Sequence, residues 1–459
     1  MRGRLAIGIA LTAVIVGSCT PETSLTPSRS VTPVASEPGS IGANWLTYQR
    51  DRTRSGFDPS SPPLGRVRRS WTSPALDGVV YAEPLLFDAR VFVATENDSV
   101  YALDAATGAV VWRTHLGDPV PRSALPCGNI DPTGITGTPV IDPSSGLLYA
   151  VAFLQPGRHE LVAVDTANGR VRFHRSIDPP GANPLIEQQR AALAISHGRV
   201  YAAFGGLLGD CGDYHGLAVG LALDGRGPLL SYRVPSGRAA GIWAPSGPAV
   251  DASGDLLVAT GNSFSSSAFD FGNAVIRLSP DLAPIGWFAP ANWLALNQGD
   301  VDLGSVGPTL LPDRLAFQVG KEGIGYLLDV QHLGHIGGEA FSAPVCASGG
   351  GAFGGTAERP PFVYVPCTNG LVAVKTGPGP SFRVAWRGPS FHAGPPILAG
   401  GAVWVVDIGS GDLIALDSGT GARMFQAHLG EVTDFAIPAA GDGLLCVATL
   451  NRVVAFSGV

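Results

Sequence analysis

VFVATENDSVYALDAATGAVVWRTHLG, residues 91–117, is the stretch whose reading decides the fold. Two short β-rich runs lead into a turn, Asp104-x-x-Thr107-Gly108, and a further run ends on Trp112. The phrase returns as Ala163-x-Asp165…Asn168-Gly169…Phe173 and as Ala415-x-Asp417…Thr420-Gly421…Phe425. A strand-built unit recurring at a period of ~20–50 residues indicates a solenoid or a propeller. In the turn, Gly takes a positive φ that other residues resist, and the Asp side chain bonds the turn backbone. The closing aromatic is expected to pack between neighbouring units. These residues read as scaffold.

Working outward, strand groups fall at 78–117, 135–177, 190–235, 242–288, 303–338, 350–387 and 393–429. The C-terminus holds only three further strands, AIPAAGDG, LLCVATL and NRVVAF. A fourth is available at Val67–Ser73 (VRRSWTS), where Trp71 stands as Trp112 stands in the first group. Joining first and last strands in one blade closes the ring and removes exposed sheet edges. The expected fold is an all-β, eight-bladed propeller over residues 44–459, with seven blades as the alternative count.

Sixty-two glycines and thirty-eight prolines suit a turn-rich β chain, and the net charge of −7 without a basic run argues against nucleic acid. Residues 1–18 read as a signal peptide: Arg2 and Arg4 precede an apolar run, Leu5–Val16, too short to span a membrane. Val16-Gly17-Ser18-Cys19 resembles a bacterial lipobox, which implies a lipid on Cys19; cleavage at another small residue is the alternative. Residues 19–43, rich in Thr, Ser and Pro, read as a tether. The protein is therefore expected outside the cytoplasm, lipid-anchored to the bacterial membrane. There disulfides persist, and Cys127–Cys211 and Cys346–Cys367 are the expected pairs. Cys446, in GLLCVATL, reads as a buried small hydrophobe. No CxxCH haem signature and no zinc spacing is present.

The phrase Ala-x-Asp-x-x-Thr-Gly-x-x-x-Trp resembles the repeat of quinoprotein alcohol dehydrogenases and the wider pyrroloquinoline quinone (PQQ)-like propellers. That family includes active enzymes and relatives that bind no quinone, among them outer-membrane assembly lipoproteins. The resemblance implies a quinone on a tryptophan floor in the central channel. In GIWAPSGPAVDASGDLLVATGNSF, Trp243 matches the floor and Asn262 the family's calcium ligand. Asp270 is the nearest match to the catalytic aspartate and a candidate calcium ligand. Gly299-Asp300-Val301-Asp302 is similar to the family's acidic pair. Lys321, in QVGKEGIGYLLD, matches the lysine that donates to the quinone carbonyls. It is one of only two lysines in a chain with thirty Lys and Arg residues. A compact ammonium suits a carbonyl oxygen in a narrow channel better than a guanidinium fork does.

The departures weigh against activity. A single Cys127 stands where the family has adjacent cysteines, and its arginine after them has no clear match. Phe204-Gly205-Gly206-Leu207-Leu208 lacks the family's calcium-binding Glu, leaving Asp210 or Asp270 as substitutes. The loop Gly209–Gly216 gathers carboxylates, Tyr214 and His215, and reads either as a polar binding site or as a disulfide-pinned loop. PQQ and calcium are thus candidate cofactors of an incomplete site. The expected function is a degenerate quinoprotein serving as a binding or scaffold module at the cell envelope. Its partner would be an envelope protein or polysaccharide, and it would be a monomer touching the membrane through its lipid alone. The alternative is a PQQ-dependent alcohol dehydrogenase-type oxidoreductase with a remodelled cofactor site.

Overall fold

A computed structural model describes residues 44–441 and 443–459. The signal peptide, Cys19 and the 19–43 tether lie outside the described residues. Eight antiparallel sheets follow one another along the chain as the blades of one propeller. Blade 1 holds Leu85–Phe87, Arg90–Thr95, Ser99–Asp104 and Val110–His115 in that order from the channel outward. Blade 8 closes the ring: its outermost strand, Arg68–Thr72, pairs with Val453–Ser457, placing Trp71 opposite Ala455.

The repeated phrase works because its two ends meet across blades. Asp104 Oδ1 accepts from Thr107 N at 2.9 Å and Thr107 Oγ1 at 2.7 Å, and Gly108 follows at φ +72°. Onto that glycine packs Trp71 of the preceding blade, whose indole N–H donates to Ala105 O at 2.9 Å. Trp112 of blade 1 packs likewise on Gly169 of blade 2, donating to Thr166 O at 3.1 Å. A methyl at Gly169 would come within 2.8 Å of the Trp112 ring. Glycine is thus required twice, by backbone conformation and by the neighbouring aromatic.

One boundary differs from expectation. Blade 5 does not end at 338: its outermost strand is Phe341–Pro344, paired with Ile324–Asp329. His335–Ile336 instead adds a parallel edge to Pro284–Ala289 of blade 4, where the His335 ring stacks on Trp287 at 4.5 Å. Both expected disulfides form, and Cys446 is free and buried.

The segment from Trp45 to Asp58 fills the channel. It bonds the backbone of the innermost strands or their leads in blades 1, 2, 4, 5, 6 and 7, at Leu86, Ile141, Val250, Leu310, Glu358 and Leu398. Thr47 and Arg54 add Leu193, ahead of blade 3. Arg54 is fully buried and its guanidinium also reaches Pro248 O, Tyr48 O and Thr47 Oγ1 at 2.9–3.1 Å. The plug lies against the innermost strands; a separate space in the propeller is lined by chain leading into those strands and by the loops that follow the second strands of blades 3, 4 and 5.

Candidate functional site

That space is a cavity of about 290 Å³. Trp243, Asn262 and Lys321 line it together, with Asp300 and Asp302. Glycines let these groups approach one another. A Cβ on Gly205 would come within 2.7 Å of Trp243 Cβ, and one on Gly261 within 2.6 Å of Asp302 Oδ1 and 2.9 Å of Trp243 Nε1. Near the axis of a propeller the blades converge, and these positions have no room for a side chain.

Asp302 is the hub. Its carboxylate is buried, accepts the Asn262 backbone N–H at 2.6 Å, and pairs with Lys321 Nζ at 2.6 Å. Burial raises its pKa, and Lys321 opposes that shift most strongly. Lys321 also reaches Asp300 O at 3.1 Å and Asp300 Oδ1 at 3.4 Å, and its own pKa is held up by this pairing despite partial burial. Lys321 thus faces the cavity, while its neighbour Glu322 accepts from Asn292 Nδ2 at 2.7 Å. The turn carrying the two aspartates is fixed from outside the cavity: Asn273 Oδ1 accepts Leu303 N at 2.7 Å, and Asn273 is held by Asn297.

One end of the Asn262 amide lies 2.5 Å from Asp302 Oδ1 and 3.3 Å from Asp300 Oδ1. With nitrogen at that end, the amide donates to both carboxylates. With oxygen there, three oxygens face one another, the arrangement a hard cation holds together. Among the described residues no three His, Cys, Asp or Glu side chains gather as ligands. A cation here would rest on two carboxylates and an amide, and would draw its other oxygens from a bound ligand or water.

Asp270 does not join them. Its carboxylate accepts from Ser263 Oγ at 2.6 Å and shapes its own loop, and it is not among the residues lining the cavity. The nearest sequence match to a catalytic aspartate is thus a loop-forming residue, because the chain turns outward after Asn262. Asp210 does line the cavity and accepts the Tyr214 hydroxyl at 2.6 Å. It sits in the wall formed by Leu207, Leu208 and Gly209, which the Cys127–Cys211 disulfide ties to the loop bearing Asn129. His215 turns away, to Ser236 Oγ at 3.3 Å. Sequence reasoning missed Arg190, Phe353 and Phe435, which lie in irregular leads between blades and carry no motif.

Elsewhere in the propeller, burial holds several carboxyls above their ordinary pKa. Burial pushes Glu96 from 4.5 to about 7, against the Gly134 N–H that donates to it at 2.7 Å. Burial likewise raises Glu187 and Glu358 to about 7. A carboxyl whose folded pKa exceeds its unfolded one binds protons more tightly in the fold. Its stabilising contribution is full below about pH 4.5 and is lost as pH rises through about 7. Unfolding free energy is expected to fall across that window. Glu96→Gln should flatten the fall by up to about 3 kcal/mol. Urea titrations at stepped pH check this, and an unchanged slope in the variant refutes it.

Comparison with known proteins bears on the same features. The profile of the family described as "Outer membrane protein assembly factor BamB" matches residues 62–209. A polyvinylalcohol dehydrogenase from a Pseudomonas species is 24% identical over 263 residues, covering 53% of this chain and 38% of that protein. The chain thus spans less than two-fifths of the length of that curated relative. Among solved structures, quinohemoprotein alcohol dehydrogenase ADHIIG from Pseudomonas putida is similar with a TM-score of 0.71 at 14% identity, covering 91% of this chain and 80% of that one. BamB from Moraxella catarrhalis is similar with a TM-score of 0.60 at 15% identity, covering 85% and 99%. At such identities the structural likeness concerns the fold.

Proposed function

We propose, for a chain that is a PQQ-like β-propeller, that the channel cavity seats a planar quinone of the PQQ type and that the protein oxidises an alcohol. The observation that carries this reading is the convergence of Trp243, Asn262, Asp300, Asp302 and Lys321 on one cavity. It favours the oxidoreductase alternative over the binding or scaffold module. The names of two relatives, a polyvinylalcohol dehydrogenase and a quinohemoprotein alcohol dehydrogenase, support an alcohol as the substrate class. The two disulfides support an extracytoplasmic setting, and anchoring through Cys19 belongs to the same proposal.

The donor set fits such a cofactor. Trp243 offers an indole face for stacking. Lys321 Nζ, already positioned by Asp302, is a point donor for a carbonyl oxygen. Asn262, Asp300 and Asp302 are the oxygens for a divalent cation, with Asp210 of the neighbouring blade 3 as a further carboxylate of the cavity. When bound, the quinone would supply the two-electron acceptor. Asp302, buried and paired, anchors the site. Asp300 is exposed at the cavity; its Oδ1 faces Lys321 and Asn262, and its other oxygen is the one placed to take the hydroxyl proton of a substrate. Asp300 thus takes the role that the sequence match gave to Asp270. Leu207, Leu208, Phe353 and Phe435 line the cavity and limit water.

The test is titration with PQQ, with and without calcium, followed by quinone absorbance and tryptophan quenching. Saturable, stoichiometric binding is expected, tighter with calcium, and weakened about 10-fold in Trp243→Ala by loss of stacking. No binding at tens of micromolar quinone would end the oxidoreductase reading and return the search to envelope partners.

A further inference from the structure

A cation with no partner stands in the same cavity. Arg190, on the lead into blade 3, is partly buried and lines the cavity. Its guanidinium lies 4.6 Å from the ring centre of Phe435 and 5.6 Å from that of Tyr81. Among the described residues no carboxylate or carbonyl accepts a hydrogen bond from it and none forms an ion pair with it. A guanidinium carries five N–H donors in a fixed fork that matches a carboxylate. Two aromatic planes hold it in place without using those donors. An arginine held by ring faces, with its N–H groups open to the cavity, is a recognition group for an anion.

Its position says which part of a ligand it meets. Tyr81 and Phe435 come from the leads into blades 1 and 8, which are neighbours in the ring. Asn262, Asp300, Asp302 and Lys321 come from blades 4 and 5, on the opposite half of an eight-membered circle. Trp243 lies between, 6.5 Å from Phe435. The cavity therefore has a carbonyl- and cation-binding end, an aromatic middle and a guanidinium end. Phe435 holds φ +68°, a conformation an aromatic residue rarely adopts, and that backbone presents its ring to Arg190.

The geometry points to Arg190 as the carboxylate-binding residue of the channel: the flat ligand over Trp243 carries a carboxylate at its far end, and Arg190 receives it. This rests on the quinone reading for the ligand's ring system but not for its charge. Desolvation lowers the guanidinium's pKa from its ordinary value, opposed by Tyr81, Asp434 and Glu96, none within ion-pair distance. A ligand carboxylate would be the first direct counter-ion.

Three probes separate the possibilities: PQQ, its trimethyl ester, and benzene-1,3,5-tricarboxylate, which is no quinone. Each is titrated against the full protein and against Arg190→Gln and Arg190→Lys, by calorimetry and tryptophan quenching. Loss of the charged contact is expected to weaken the two acids about 10- to 100-fold in Arg190→Gln. The ester should bind both proteins alike, and Arg190→Lys should fall between and serve if the Gln variant does not fold. Equal loss for acid and ester, or no loss for either, overturns the assignment. So does a wild-type protein that binds neither acid. Arg190-dependent binding of the benzene tricarboxylate without PQQ binding would keep the assignment and remove the quinone. PQQ binding indifferent to Arg190 would do the reverse.

Discussion

Lys321→Ala is expected to abolish stoichiometric quinone binding, with a loss of at least about 100-fold. Two effects combine. The variant removes the donor to the quinone carbonyl, a charge-assisted bond worth about 1.5–3 kcal/mol. It also strips Asp302 of the cation 2.6 Å away. Asp302 is already raised by burial, and Lys321 is the strongest influence holding it down. Without Lys321 its pKa rises further, which disfavours the charged form that a cation would need as ligand. Lys321→Arg should not rescue, because a fork cannot replace a point donor in that space. Equilibrium binding, with circular dichroism to confirm the fold, decides the matter. Retained affinity in Lys321→Ala would sink the assignment of this lysine.

The largest expected effect on stability is that of Arg54→Met, about 3–5 kcal/mol. The side chain is fully buried and donates to Pro248 O, Tyr48 O, Leu193 O and Thr47 Oγ1. Burial holds the carboxyl of Glu83 well above the usual carboxylate range, and Arg54 opposes that shift after the Gln49 and Trp45 N–H groups. Methionine fills much of the volume but leaves the carbonyls of Pro248, Tyr48 and Leu193 without this donor. Glu83 in turn accepts from Trp45 Nε1 at 2.8 Å and Gln49 N at 2.7 Å, so the N-terminal plug should loosen as a unit. Chemical denaturation reads the loss directly. A change below about 1 kcal/mol, within the range of ordinary surface substitutions, would mean the plug is not integral to the propeller.

Binding and stability meet in this plug. A hollow channel would be open at both ends and wet throughout. Filling it with Trp45, Tyr48, Gln49 and Arg54 ties together the innermost strands of the blades on which Trp243 and Asp302 are mounted.

The sequence alone determined the repeat and its geometry. Asp104, Thr107, Gly108 and Trp112 act locally: turn chemistry and strand pairing operate within a few residues, and each aromatic meets the equivalent glycine of the next copy. Blade count, ring closure through Trp71 and both disulfides were legible for that reason. So was Lys321, whose residue type stands out in an arginine-rich chain. Only the tertiary structure decided how the cavity is furnished. Asp270 and Asp302 are both acidic residues downstream of Asn262, and nothing in their spacing tells that one turns outward into its loop while the other returns to the axis. Arg190, Tyr81 and Phe435 are far apart in sequence and sit in leads with no periodicity. They meet because the leads into blades 1, 3 and 8 converge on one channel, and convergence on an axis is a property of the closed ring.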